Sequence, residues 1–407
     1  MNFSRRRFLK TTGLGFLALG LPPSFLVRAA RATESKPGRV LVVLFQRGGM
    51  DGLNAVIPFK ESAYFKMRPS IAITEPAAGE DRAIDLDGFY ALHPALAPLK
   101  PLYDQGHLAI IHATGSPNNT RSHFDAQDYM EIGTPGSKST PDGWLNRYLR
   151  EKTKPGAPLR AVSVSTRLPR VFYGDAPTVN LNSIAEFHLR DARFAQNLQR
   201  LYSNAADPLL EDSGQRLFAA MTALGQLQSA IPVVREGYPK GPFGARLGEI
   251  ARLIKANVGL EIAFTEIEGW DTHVNEGGAT GILANRLRTL ADGISAFFRD
   301  LGDRMEDVVL VTLSEFGRTA RENGNRGTDH GHANVMFVAG GKIRGGKVYG
   351  SWPGLQAELL YEGRDLALTT DFRAVCGEVL ARHLGSTDLG KVFPGFTIPR
   401  PVLEWKA

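Results

Sequence analysis

Short runs of consecutive apolar residues alternate along this chain with stretches in which apolar positions recur every three to four residues. Val40 to Phe45, Leu108 to Ala113, Ala161 to Val164, Leu260 to Phe264, Val308 to Leu313 and Val335 to Ala339 are short, mainly apolar runs. A strand buried on both faces has this pattern, whereas a half-exposed strand alternates. Between them Leu247, Ile250, Ala251 and Ile254, and later Leu287, Leu290, Ile294, Phe297 and Leu301, follow the 3.6-residue period of a core-facing helix. The alternation predicts an α/β domain over 38–407, with a mostly parallel sheet sandwiched by helices. The polar-rich stretch 183–235 has helical but no strand character, and is expected as a helical insertion over the sheet. It is bounded by the turn-forming Tyr238-Pro239-Lys240-Gly241-Pro242.

Charge changes the picture at one end only. The 407 residues carry 48 Lys and Arg against 42 Asp and Glu. Arg5, Arg6, Arg7, Lys10, Arg28 and Arg31 all fall in the first 32 residues, which contain no acid, so the remainder is formally neutral. A neutral body removes the electrostatic case for a nucleic-acid partner. Ser4-Arg5-Arg6-Arg7-Phe8-Leu9-Lys10, the apolar stretch Thr11 to Val27 and the small-residue site Ala30-Arg31-Ala32 form the pattern of a twin-arginine export signal, residues 1–32. Glycines and prolines interrupt the apolar stretch, and it falls short of the ~20 apolar residues of a spanning helix, so no stable membrane anchor is expected. The signal implies passage through the twin-arginine translocase and a periplasmic or otherwise exported location. The lone Cys376 permits no intrachain disulfide, and its spacing with Phe372, Val375, Val379 and Leu380 predicts a buried helix residue.

In an open α/β sheet ligands bind just beyond the carboxyl ends of strands, and four such places carry unusual chemistry. After the first strand, Gln46-Arg47-Gly48-Gly49-Met50-Asp51-Gly52 offers glycines and a carboxylate but no G-x-G-x-x-G phosphate loop. After the second comes Thr120-Arg121-Ser122-His123-Phe124-Asp125. There Ser122 fits a helix N-cap, and a hydroxyl at a helix N-terminus also suits a nucleophile toward an anionic group. Gly269-Trp270-Asp271-Thr272-His273 follows the fourth strand, with oxygen and imidazole nitrogen donors two residues apart. Ser314-Glu315-Phe316-Gly317-Arg318-Thr319 follows the fifth, and Gly327-Thr328-Asp329-His330-Gly331-His332 precedes the sixth.

These segments, together with the export signal, resemble the exported bacterial family called domain of unknown function fifteen-oh-one. That family is grouped with the alkaline phosphatase and sulfatase superfamily. The resemblance implies a metal site, of one or two divalent ions (zinc, manganese or calcium), at the carboxyl edge of the sheet. Asp51 matches the first aspartate of the superfamily, Ser122 the nucleophile position with Thr120 as substitute, and Asp271 with His273 an Asp-His pair. Two departures stand out. The pair is spaced D-x-H rather than D-x-x-x-H, and Glu315-Phe316-Gly317 stands where Asp-His-Gly is expected after a strand. An alignment on strands makes Glu315 the acid and gives Asp329-His330-Gly331-His332 the place of the late histidine. An alignment on motifs makes Asp329 and His330 the pair themselves. The strand alignment is preferred, and leaves one metal site complete and the other deficient. The C/S-x-P-x-R motif of type I sulfatases is missing around Ser116 to Ser122.

The resemblance therefore implies an exported metal-dependent hydrolase of phosphate or related sulfate esters, with an anionic ester as substrate. Asp51, Asp271, His273, Glu315, Asp329, His330 and His332 are the candidate metal ligands. Ser122, or a water, is the candidate nucleophile; Arg318 or Arg121 would hold the anionic group. His123 reads as a proton shuttle or as a first-turn helix residue. The alternative is a non-catalytic binding or structural protein of the cell envelope that keeps the fold with at most a structural metal; Phe316 at an expected ligand position favours it.

Overall fold

The structure, a computed structural model, describes residues 38–79, 81–151, 157–184, 199–200, 202, 208–231 and 236–406. The expected export signal, residues 1–32, lies outside them. Nine strands form the main sheet: β1 (Val40–Arg47), β5 (Leu108–Gly115), β6 (Ala161–Val164), β7 (Val179–Leu181), β8 (Ile262–Glu268), β9 (Val308–Ser314), β10 (Asn334–Gly340), β11 (Lys347–Tyr349) and β12 (Thr370–Asp371). Their spatial order is β11-β5-β10-β9-β1-β8-β6-β7, with β12 paired to the end of β5. A separate three-stranded sheet joins β2 (Val56–Pro58), β3 (Ile84–Asp85) and β4 (Tyr90–Leu92).

The apolar runs have the predicted cause. In β1 the side chains of Val40, Val42 and Leu44 enter one core, with Leu247 and Ile250 from the helix Pro242–Lys255 and Leu287 and Ile294 from the helix Ile282–Leu301. Leu41, Val43 and Phe45 enter a second core on the other face, with Leu145 from the helix Trp144–Glu151 and Val379 from the helix Phe372–Arg382. Period-2 alternation sends neighbours to opposite faces, and both faces are covered by helices. Cys376 is buried in the last of these helices. Within the stretch expected as an insertion, Pro208–Ala230 is a helix that packs Leu224 and Leu227 into the first core.

One strand departs from the parallel expectation. β10 runs antiparallel to both β9 and β5, and the other pairs of the main sheet are parallel. The chain turns back after β9 through 315–333 without a crossover helix, and only an antiparallel neighbour can follow so direct a return. β10 therefore starts at the edge where the parallel strands end, which brings Asp329 to His332 to the carboxyl edge. The fourth expected strand begins later and ends later, at Ile262–Glu268. Its polar residues conceal it: Thr265 Oγ1 donates to the Val164 carbonyl at 3.0 Å, and Glu266 accepts from Arg47 at 2.6 Å.

Candidate metal centre

Three loops and one helix start meet at the carboxyl edge. The β1 loop crosses the β8 loop at Gly48 and meets Phe316, after β9, at Gly49, both with positive φ, 121° and 68°. A Cβ on Gly48 would stand 2.8 Å from the Asp271 backbone nitrogen, so only glycine permits the crossing. The chain after β9 pairs antiparallel with the segment before β10, through Gly317 N to His332 O at 2.9 Å and Thr319 N to Asp329 O at 3.0 Å. This pairing sets His330 opposite Arg318. His123 opens the helix His123–Ile132, whose N-cap is Ser122 and whose end is set by Gly133 in the left-handed region.

The edge gathers His123, Asp271, His273 and His330. Asp271 Oδ1 lies 3.0 Å from His273 Nε2 and 3.1 Å from His330 Nε2, and those two nitrogens are 3.0 Å apart. His123 Nε2 is buried without a hydrogen-bond partner, 3.4 Å from Asp271 Oδ2. Each ring is held from behind at Nδ1. Glu315 Oε1 takes His123 at 2.8 Å, Asp329 Oδ1 takes His273 at 3.0 Å, and the Arg121 carbonyl takes His330 at 2.7 Å. A carboxylate or carbonyl can only accept, so each neutral imidazole carries its proton on Nδ1 and turns an Nε2 lone pair inward. Three lone pairs and a carboxylate then face one another at hydrogen-bond distance with no proton among them. That donor set fits a divalent cation: His123, Asp271 and His330 offer ligand atoms within reach of one ion, with His273 beside them, and the rings have the backing acceptors that metal-bound histidines use.

Burial opposes the charge on Asp271, but Arg318, donating at 2.7 Å, together with His330 and His273 outweighs it and holds the carboxyl at about 2. The hydrogen bond to Glu315 raises His123, and burial lowers His330. Glu315 is buried, yet donors from His123, Gln127 and the Gly48 amide keep it ionised. Gln127 is itself oriented by Arg47, which donates to its Oε1 at 2.9 Å.

Not every expected ligand reaches this cluster. Asp51 is fully buried and caps the short helix Gly52–Ala55, and both its oxygens take the guanidinium of Arg68. Glu315 and Asp329 stand behind histidines rather than in the cluster. His332 is stacked on Tyr361, with ring centroids 4.3 Å apart. Arg318, read as an anion clamp, spends its donors on the carbonyls of Gly48, Gly49, Trp270 and Thr328 and on Asp271. It ties the loops together and is itself buried. Arg121 is paired with Glu362 and Asp365. Ser122 Oγ accepts the Asp125 amide at 3.4 Å, as an N-cap does. His123 joins the cluster directly, which neither of its sequence readings anticipated. Gln127, Arg68 and the buried Glu276, bonded by Thr328 at 2.7 Å, carried no local sequence signal.

The family described as "Protein of unknown function (DUF1501)" matches residues 103–395. The chain belongs to this family. No curated protein matches it. Among solved structures it is similar to the lipoteichoic acid synthase LtaP of Listeria monocytogenes, at 10% identity and a TM-score of 0.31, covering 74% of this chain and 65% of that one. It is also similar to the PsFucS1 sulfatase of Pseudoalteromonas, at 12% identity and a TM-score of 0.34, covering 81% and 68%. A third is the C-terminal periplasmic domain of EptC from Escherichia coli, in complex with zinc, at 10% identity and a TM-score of 0.29, covering 75% and 73%. This chain thus spans about two thirds of the length of the first of these. Among the described residues no helix is long and apolar enough to cross a membrane.

Proposed function

We propose that the protein is an exported, metal-dependent hydrolase of phosphate or related sulfate esters. The observation that carries this reading is the convergence of the His123, His273 and His330 Nε2 atoms on Asp271. The ligand chemistry favours zinc, with manganese next. One ion is expected, because Asp51, the other acid of the superfamily pattern, is neutralised by Arg68. The twin-arginine motif and the superfamily resemblance supply the location, the translocase as export partner and the reaction class.

A divalent ion held there would act as a Lewis acid on an ester oxygen. The chain's own groups do the rest. Glu315, Asp329 and the Arg121 carbonyl keep the three Nε2 lone pairs turned inward, and Arg318 keeps Asp271 ionised. Ser122 uses an oxygen lone pair as a cap, which leaves its O–H available; it precedes a cluster histidine at the start of a ten-residue helix, where an anionic group is stabilised. Ser122 is the assigned nucleophile, and a water is the alternative.

A non-catalytic binding protein is the second reading, favoured by the burial of Arg318 among loop carbonyls and by the pairing of Arg121 with Glu362 and Asp365. One experiment separates the two. Protein purified without chelator or histidine tag is assayed for metal by elemental mass spectrometry and for turnover of 4-nitrophenyl phosphate, bis(4-nitrophenyl) phosphate and 4-nitrophenyl sulfate. The expected result is about one equivalent of a divalent transition metal, with metal and turnover both lost in Asp271→Ala. Metal without turnover selects the binding protein, and absence of metal overturns the hydrolase.

A further inference from the structure

The edge that carries the centre also carries apolar side chains that folding does not require. The exposed large hydrophobic residues among those described are Phe124, Leu168, Tyr173, Val274, Ile282 and Leu359. Five of these lie in the loop or first helical turn that leaves a strand's carboxyl end: Phe124 after β5, Leu168 after β6, Val274 and Ile282 after β8, and Leu359 between β11 and β12. Tyr173 lies farther along its connection. Exposed apolar residues are ordinary when scattered singly, as Leu168 and Leu359 are, on connections from β6 and β11 toward opposite ends of the sheet.

Two of the exposed residues adjoin the centre. Phe124 follows His123 by one peptide unit, about 3.8 Å between Cα atoms, and is 86% exposed. Val274 follows His273 in the same way and is 51% exposed. The second position of a helix and a loop position both favour polar residues over bare Phe and Val, so local structure supplies no reason for either. We propose that Phe124 and Val274 bind the apolar alkyl or aryl body of the anionic ester whose charged end sits at the histidine cluster. The inference rests on the proposed function. It names the substrate class: an anionic ester carried on an apolar group, as opposed to a sugar or nucleotide ester, whose body would ask for hydrogen-bonding groups at these positions.

The test is a chain-length series of non-hydrolysable alkylphosphonates, from methyl to hexyl, titrated calorimetrically into the zinc-loaded protein. Affinity should rise by up to about fourfold for each methylene buried. In Phe124→Ser and Val274→Ser the rise should flatten, with zinc content and melting temperature unchanged. Zinc-dependent binding that is independent of chain length, or a slope that both variants retain, overturns the inference and leaves the proposed function standing. If methylphosphonate binding does not depend on zinc, the proposed function falls with it. A wild-type dimer that Phe124→Ser turns into a monomer, without any chain-length slope, would assign the rim to a second copy and overturn the inference as well.

Discussion

Asp51 and Asp271 both follow the carboxyl end of a strand, and their arginines give them different work. Arg68 encloses Asp51, and the pair is wholly buried. Arg318 touches Asp271 from one side only, and leaves its carboxylate turned to three histidines. Removing one partner of a buried ion pair strands the other charge, so Asp51→Ala should cost about 3–5 kcal/mol of stability and leave the metal content as it is. Glu315→Gln should do the reverse. It keeps the shape but replaces the carboxylate behind His123 with a neutral amide that has one acceptor oxygen instead of two, and metal affinity should weaken about 10–100-fold in a protein that remains folded. Urea unfolding of the first and chelator competition on the second check both. The sequence displayed Asp271, His273 and His330 because each follows or precedes an apolar run on the same edge. It concealed the fate of Asp51, since Arg68 is 17 residues away and only tertiary folding brings the two together. His123 was visible as a residue, but the acceptor that fixes its ring comes from the loop just after β9, 192 residues on.

At the scale of elements, the site depends on loops that touch because their residues are small. Gly48 presses on the backbone of Trp270 and Asp271, so a single methyl group there would meet main chain, not a side chain that can move aside. Gly48→Ala also places a Cβ on a residue with φ of 121°, a region that suits glycine alone. The β8 loop must then shift, taking Asp271 and His273 away from His123 and His330. The expected outcome is a loss of metal affinity larger than the loss of stability, measured on one sample by chelator competition and thermal melting. Equal effects on both would mean that the crossing serves the fold alone. The strands on which these loops sit were legible wherever an apolar run was unbroken. The apolar pattern stops four residues short of the end of β8 because Thr265 and Glu266 spend their polar groups on neighbouring strands, which a pattern of hydrophobicity cannot register. β7, β11 and β12 have only two or three residues each, too few to show any period.

For the whole molecule, the remaining histidines set the response to acid. His93, His112 and His383 are buried in three different parts of the fold, and burial drives each down to about 4. Two of them accept a backbone N–H at Nδ1, from Ala95 and from Ala113, each at 2.9 Å, and a second proton on either ring would break that bond. An unfolded histidine titrates near 6.5, so between that value and about 4 the unfolded chain binds protons that the folded chain refuses. Stability from these three groups is therefore full above pH 6.5 and declines as the pH falls toward 4, by on the order of 3 kcal/mol per group. His123 works in the opposite sense: its raised value adds stability that is present below 6.5 and is lost as the pH rises through its folded value. One half-exposed group cannot cancel three buried ones, so the melting temperature of metal-free protein should fall steadily from pH 7 to pH 4.5. In metal-loaded protein the fall should be steeper, because protons also compete for the Nε2 atoms of the cluster. Equal slopes with and without metal would mean that no ion is held by those histidines, and a flat profile in the metal-free protein would mean that the three buried rings are charged in the native state.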